Sequence, residues 1–343
     1  MEQAPLFSIC IPAHNARGVI GMCLESLARQ TCGDWEAIVV DDASTDGLRE
    51  LCAAQDIVPA ERLTYVRLDE NQGPFRARRR AFSHARGRYV VCLDADDELI
   101  GTDALSNMRD VIESARPDLL LFNMSPREQG GDSIVDYGSL GLREGPIERD
   151  ALIEAFLSTY ALNNLATKAI RRELLTEGDS EAPEGLKMCE DRLEVSGAIA
   201  RADSAYLLDR DLYFYRPNEA STTHRRFEVD YCAQQAFVER RSWELLGASV
   251  ASRDGQYALL LSAWAHDMEA LVRGRDAREL AACLEEMATE PLFVEAMVAV
   301  GTADLRFERA RSLRLLRQGR VRAAARWVRA FARLKGAVKQ GSS

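Results

Sequence analysis

Short β-rich runs alternate with helical patterns over the first 122 residues, and no other feature of the chain constrains its fold as strongly. Residues 7–11 read as a strand ending at Pro12, and Ile20, Cys23, Leu24 and Leu27 follow at the spacing of one helix face. Residues 37–40 are an unbroken apolar run halted by Asp41-Asp42, and Asp46-Gly47 opens a helix carrying Leu48, Leu51 and Cys52. Residues 63–68, 89–93 and 119–122 read as further strands, separated by helical stretches at 76–85 and 103–114. This alternation implies βαβ crossovers and a parallel sheet. The runs are continuously apolar, as expected of a sheet covered on both faces.

In such a sheet, ligands sit outside the carboxyl ends of the strands. Three ends carry polar residues: Pro12-Ala13-His14-Asn15, Asp41-Asp42-Ala43-Ser44 and Asp94-Ala95-Asp96-Asp97-Glu98. The last holds four carboxylates in five residues, which repel one another unless a cation lies among them. Oxygen-only ligands select hard ions such as Mg²⁺ or Mn²⁺. A solvated acidic turn is the plainer reading, but placement directly after a strand of a βαβ series weighs against it. Asp42 suits a hydrogen bond from a ribose hydroxyl or a base N–H; capping the helix after Gly47 is better served by Ser44 or Asp46. There is no Gly-x-x-x-x-Gly-Lys-Ser/Thr, and no Gly-x-Gly-x-x-Gly follows the first strand. What remains is a nucleoside diphosphate held through a metal rather than a glycine cradle.

Beyond residue 122 the pattern changes. Residues 123–148 are rich in Gly, Ser, Asp and Pro and read as a loop or short hairpins. Helical periodicity returns at 149–160 and 187–200, strands are expected at 205–208 and 212–215, and from about Phe227 the chain reads as helical. Charge is uneven: the net of −10 divides into +11 on residues 306–343 and −21 on the rest. Residues 320–335 read as an amphipathic helix, with Val321, Ala324, Ala325, Val328, Phe331 and Ala332 on one stripe and Arg322, Arg326, Arg329 and Arg333 on another. Residues 306–339 thus suit an anionic membrane surface, with docking on the acidic body as the competing reading. No nucleic-acid motif accompanies the charge. The eight cysteines lie singly, as reduced and mostly buried thiols do, and no basic leader opens the chain, so a cytoplasmic location is expected, with the tail peripheral on the inner membrane face.

Ser8–Asn15, Ser26–Thr31, Val39–Gly47, Asn71-Gln72-Gly73-Pro74 with Ala77-Arg78, and Gly87-Arg88-Tyr89 leading into Leu93–Asp97 follow one another in order, and together these segments resemble the family 2 glycosyltransferases. Glu190-Asp191, and Tyr213–Arg216 followed by Ser221, extend the likeness to about residue 222. The resemblance implies a GT-A-type, Rossmann-like α/β fold with a mostly parallel sheet and a helical C-terminal extension. It implies a catalytic domain over 1–222, with a nucleotide-binding half (1–98) and an acceptor half (99–222), and a helical module over 223–343. The activity implied is inverting transfer of a sugar from a nucleotide-sugar, a UDP-sugar for preference, to a hydroxyl of a surface glycan or lipid-linked acceptor.

Carried over residue by residue, Pro12, Ala13 and Asn15 lie by the base and Asp42 holds the uracil or ribose. Arg78 lies near the base or diphosphate. Asp94 and Asp96 contact the donor, Asp97 and His224 the divalent metal, and Asp191 is the general base. His14, where an aromatic commonly stacks on the base, and Arg79, where Asn commonly stands, depart from the pattern. The competing functions are a nucleotidyltransferase, which residues 12–17 do not resemble, and a catalytically silent glycan- or partner-binding protein on the same fold.

Overall fold

The computed structural model describes residues 4–176, 186, 189–217, 231–247, 253–272, 275–302 and 305–340. The chain divides into two compact units, the first comprising 1–156, 160–217 and 242–247 and the second 157–159, 218–241 and 248–343. The first contains β1 (Phe7–Ala13), α1 (Ile20–Ala28), β2 (Trp35–Asp41), α2 (Leu48–Ala54), β3 (Leu63–Arg67), α3 (Gly73–His84) and β4 (Tyr89–Cys92). It continues with β5 (Glu98–Leu99), α4 (Ala104–Ala115), β6 (Leu119–Ser125), β7 (Gly145–Ile147), α5 (Arg149–Ser158), β8 (Lys168–Arg171), α6 (Glu173–Thr176), α7 (Glu190–Arg201) and β9 (Ala205–Phe214).

The strands form one sheet in the order β3-β2-β1-β4-β8-β6-β9-β5, with β7 paired to β9. β3, β2, β1 and β4 are mutually parallel, each joined to the next in sequence through a helix, as the alternation requires. β8 then enters antiparallel to both β4 and β6, whereas β6 and β9 are parallel. β8 is absent from the sequence reading because its four residues are too few to show a period. The two strands expected at 205–208 and 212–215 are one, β9, which bridges the intervening polar residues by pairing along β6.

β1 is buried throughout except at Pro12. The polar Ser8 within it donates to Glu36 Oε1 (2.7 Å) and accepts from the Gly87 amide (2.8 Å), while Arg86 Nε donates to Glu36 Oε2 (2.8 Å). The buried Ser8 and Glu36 are thus both partnered, the latter by the exposed Arg86. This group also fixes Gly87, because a Cβ there would lie 2.5 Å from the Ser8 nitrogen. All eight cysteines are thiols outside any disulfide, and all but Cys189 are buried.

The second unit is helical. α8 (Tyr231–Leu246) begins in it and ends in residues of the first; α9 (Arg253–Leu271), α10 (Ala277–Thr289), α11 (Pro291–Ala299), α12 (Phe307–Arg317) and α13 (Val321–Gln340) follow. Trp264 of α9 is fully buried, donates its indole N–H to Gln235 (2.6 Å) and packs on Phe293 at 5.8 Å. Asp276 and Glu279 close a reciprocal capping box that starts α10. α13 packs on α10 and α12. Ala324, Ala325 and Val328 of its apolar stripe are buried within this unit, whereas Val321, Phe331 and Ala332 are half-buried. No helix among the described residues is long and apolar enough to cross a bilayer.

Candidate active site

Register brings the three polar strand ends to one edge of the sheet. Ala13 lies level with Asp41, and Cys92 with Cys10, so Asp94 emerges beside the ends of β1 and β2. Two strand spacings, about 10 Å, separate the β2 and β4 ends. Pro12, Ala13, Asn15, Asp42, Asp94, Asp96 and Asp97 therefore belong to one edge.

The loops after β1 and β2 are laced together. Asn15 and Ala43 both take left-handed φ (51° and 56°). The Asn15 amide donates to Ser44 Oγ (2.8 Å), and the Thr45 amide donates to Asn15 Oδ1 (2.9 Å). His14 Nδ1 meets the Asp42 carbonyl at 2.6 Å. Asn15 thus shapes the loop, a use to which its tolerance of left-handed backbone suits it. The Asp42 carboxylate accepts from the Gln72 and Gly73 amides (2.7 and 2.8 Å). It tethers the start of α3, not of the helix after Gly47. Beneath it Asp41 is buried. Burial favours its neutral form, but hydrogen bonds from Ser44 and Tyr65, with the Arg67 guanidinium at 2.6 Å, hold its carboxyl below the usual range.

In the acidic cluster after β4, Asp94 and Asp96 are half-buried whereas Asp97 is buried. Asp97 accepts from the Tyr213 hydroxyl (2.6 Å) and the Arg216 amide (2.8 Å). Burial and the nearby charge of Asp94 nevertheless push its carboxyl up to about 7. Glu98 turns away to Arg29 (3.1 Å) and Arg216. Every candidate metal donor described is a carboxylate oxygen, which fits a hard divalent ion. Among the described residues no three His, Cys, Asp or Glu side chains gather around one point, so such an ion would need water and substrate oxygens as well.

Arg78 of α3 is the centre of the site. Its guanidinium reaches Asp94 (3.2 Å), Asp191 (2.5 Å) and Glu190 (3.5 Å). Three carboxylates thus share one nearly buried cation, whose Nε has no partner among the described residues. Asp191, in the first turn of α7, also receives the Leu165 amide at 3.4 Å, and its side chain keeps 28% of its surface exposed. Burial, with Asp94 nearby, raises its carboxyl above the usual range despite Arg78. Glu190 is pushed up to about 7 by burial and by Asp191.

Two residues of this region escape a sequence reading. Lys168 is buried in β8, donates to the Asn164 carbonyl (2.6 Å) and is brought down to about 7 by burial, against the pull of Asp191. Tyr213 joins the two halves of the acidic turn by accepting from the Asp94 amide (3.2 Å) while donating to Asp97. A lysine opening an apolar run carries no signal of its own, and Tyr213 is legible only as part of the Tyr213–Arg216 segment, with no role attached to it. Of the expected site residues, His224 lies outside the described residues, as does Ser221.

A model of the family described as Glycosyl transferase family 2 matches residues 8–164. A PGL/p-HBAD biosynthesis glycosyltransferase of Mycobacterium bovis is 39% identical over 119 residues, 35% of this chain and 46% of that protein. The chain therefore spans about half the length of that relative. The succinoglycan biosynthesis protein ExoO of Rhizobium meliloti is 26% identical over 261 residues, 74% of each chain. Among solved structures, residues 1–349 of S. aureus TarS in complex with UDP-GlcNAc superimpose with a TM-score of 0.70 at 21% identity, over 95% of this chain and 91% of that one. That likeness shows a shared GT-A architecture, and residues 8–164 carry the similarity to the glycosyl transferase family 2 model.

Proposed function

We propose that the first unit is a catalytic domain that transfers a sugar, with inversion, from a nucleotide-sugar to a hydroxyl of a glycan or lipid-linked acceptor. The observation that carries this reading is Arg78, which ties Asp94 at the end of β4 to Glu190 and Asp191 on α7. Through it, a carboxylate cluster suited to a diphosphate and a carboxylate suited to deprotonation belong to one site. The TarS structure holds UDP-GlcNAc, which favours a UDP-sugar as donor.

In this reading the nucleoside lies along the β1 and β2 ends, beside Pro12, Ala13 and Asn15, with Asp42 toward the ribose or base. Asp94 and Asp96 face the donor sugar and diphosphate. Asp97 would hold a divalent cation, which would supply positive charge against that developing on the leaving phosphate. Asp191 accepts the acceptor hydroxyl's proton as its oxygen bonds to the anomeric carbon and the bond from that carbon to the diphosphate breaks. Arg78 fixes Asp191 Oδ1, and the raised carboxyl makes it a better base near neutrality than a free aspartate. Asp191 retains enough exposure for a hydroxyl to reach it.

The test is a nucleotide-sugar turnover screen, with and without Mn²⁺, on the parent protein, Asp97→Ala and Asp191→Ala. Asp97→Ala is expected to lose metal-dependent donor turnover. Asp191→Ala is expected to bind UDP as the parent does while transfer falls roughly 10²- to 10⁴-fold. Normal transfer by Asp191→Ala removes it as the base. No heat on adding Mn²⁺ and UDP to the parent in calorimetry favours the silent binding protein instead.

A further inference from the structure

We infer that the outward face of α12 and α13 is a docking surface for a bilayer rich in anionic phospholipid. This goes beyond the transfer reading and stands on the second unit alone. Arg311, Arg314 and Arg317 on α12 and Arg322, Arg326 and Arg333 on α13 are all exposed, at spacings of three, four or seven that repeat along a helix face. Among the described residues none of the six has an ion-pair partner, and the one pair described on these helices is Arg309 with Glu269 at 3.4 Å. Their polar contacts run to uncharged groups. Arg314 donates to Thr302 Oγ1 (2.7 Å), Arg317 to the Met297 carbonyl (2.8 Å) and Arg326 to the Arg322 carbonyl (3.3 Å), and Arg311 stacks over Trp327 at 4.2 Å. An unpaired guanidinium keeps its fork of donors for a phosphate.

Charge alone fits any polyanion, and the apolar side chains decide between them. Five large apolar side chains are exposed among the described residues, and four lie in α11–α13: Val294, Val298, Phe307 and Leu334. Phe307 and Leu334, on the arginine-bearing helices, are each 65% exposed. A soluble polyanion gains nothing from them, whereas a bilayer interface takes up both the guanidinium and the apolar side chain. Arg314 and Arg317 also border an open recess lined by Met297, Val300, Thr302 and Gln318. The surface so defined is distinct from Ala324, Ala325 and Val328 of the α13 apolar stripe, which are buried.

The experiment is co-sedimentation of the full chain with vesicles of phosphatidylcholine alone or mixed with phosphatidylglycerol. The parent is expected to bind only the mixed vesicles and to be released by salt. The triple variant Arg322→Glu, Arg326→Glu, Arg333→Glu is expected to lose partition on the order of 100-fold, and Phe307→Ser with Leu334→Ser roughly tenfold. Circular dichroism and thermal melts check that each variant is folded, and Arg→Gln at the same three positions carries the test if the charge reversal unfolds the protein. Equal binding to both vesicle types, or parental binding by a folded triple variant, overturns the inference. So does unchanged vesicle binding by Phe307→Ser with Leu334→Ser while inorganic polyphosphate competes the protein off, which marks a surface for soluble polyanions.

Discussion

Arginines of the two units are used in opposite ways. In the first unit Arg67 meets Asp41 (2.6 Å), Arg86 meets Glu36 (2.8 Å), Arg171 meets Asp118 (2.9 Å) and Arg78 serves three carboxylates. The carboxylate partners of the first three are buried, and each pair fixes a strand end or loop. Along α12 and α13, Arg309 pairs with Glu269, but Arg311, Arg314, Arg317, Arg322, Arg326 and Arg333 are exposed with no acid paired to them among the described residues. Burying a charge costs several kcal/mol unless a partner compensates it, so a buried pair is kept where geometry must be held. An exposed cation costs almost nothing and acts at a distance. The arginines of the first unit named here hold strand ends and loops in place, whereas the six exposed ones on α12 and α13 are not used in that way.

The largest test of that contrast is Arg78→Met. It leaves Asp94, Glu190 and Asp191 without their shared cation. Stability is expected to fall by about 3 kcal/mol, and transfer further than donor affinity, because Asp191 loses the group that orients it. Thermal melts and steady-state kinetics read the two effects. A variant that melts with the parent would show that the site does not depend on this pairing.

Packing gives the next largest difference. Gly87→Ala forces a Cβ against the Ser8 backbone, at 2.5 Å, inside the Ser8–Glu36–Arg86 group. The expected loss is about 2 kcal/mol in chemical denaturation. Gly255, in the first turn of α9, has no left-handed φ, and a methyl group there would meet nothing within 4 Å. Gly255→Ala is expected to stabilise by about 0.5 kcal/mol. Equal effects at the two positions would erase the distinction between a close-packed sheet and an open helix surface.

Legibility in the sequence follows the same division. β1–β4 and their helices are readable because each pairs a continuous apolar run with a period of 3.6, and the strand ends carry their own chemistry. The edge that gathers Ala13, Asp42 and Asp94 is therefore readable from order alone. What those residues touch is not. Arg78, expected at the base or diphosphate, meets Asp94, Glu190 and Asp191, and the last of these contacts joins residues 113 positions apart. Asp97 is expected as a metal ligand, and both its oxygens already accept bonds from Tyr213 and Arg216. The α13 pattern is amphipathic in either setting; only the presence of α10 and α12 shows where the apolar stripe goes.

A further effect is spread over pH. Burial pushes Glu194 up to about 7 from an ordinary 4.5, although Arg79 and Arg201 oppose it. The folded state holds this proton more tightly than the unfolded one. Its stabilising contribution is therefore complete below about 4.5 and lost as pH rises through about 7. Lys168, brought down to about 7 from 10.5, acts with the opposite slope: stability rises as pH climbs from about 7 toward 10.5. Glu194→Gln is expected to flatten the fall between pH 4.5 and 7 in melts run across pH, and a slope identical to the parent's would show that Glu194 does not hold its proton in the fold.

The smallest expected effect bears most directly on the comparison. Arg322 and Arg326 are exposed, lack acidic partners among the described residues, and lie on the face of α13 opposite its buried Ala324 and Val328. If they serve something outside the chain, the fold does not need them. Arg322→Gln with Arg326→Gln should then change stability by less than about 0.5 kcal/mol, with melts unmoved by salt relative to the parent. A loss comparable to that of Arg78→Met would mean that these arginines hold structure after all, and the two units would then use their cations alike.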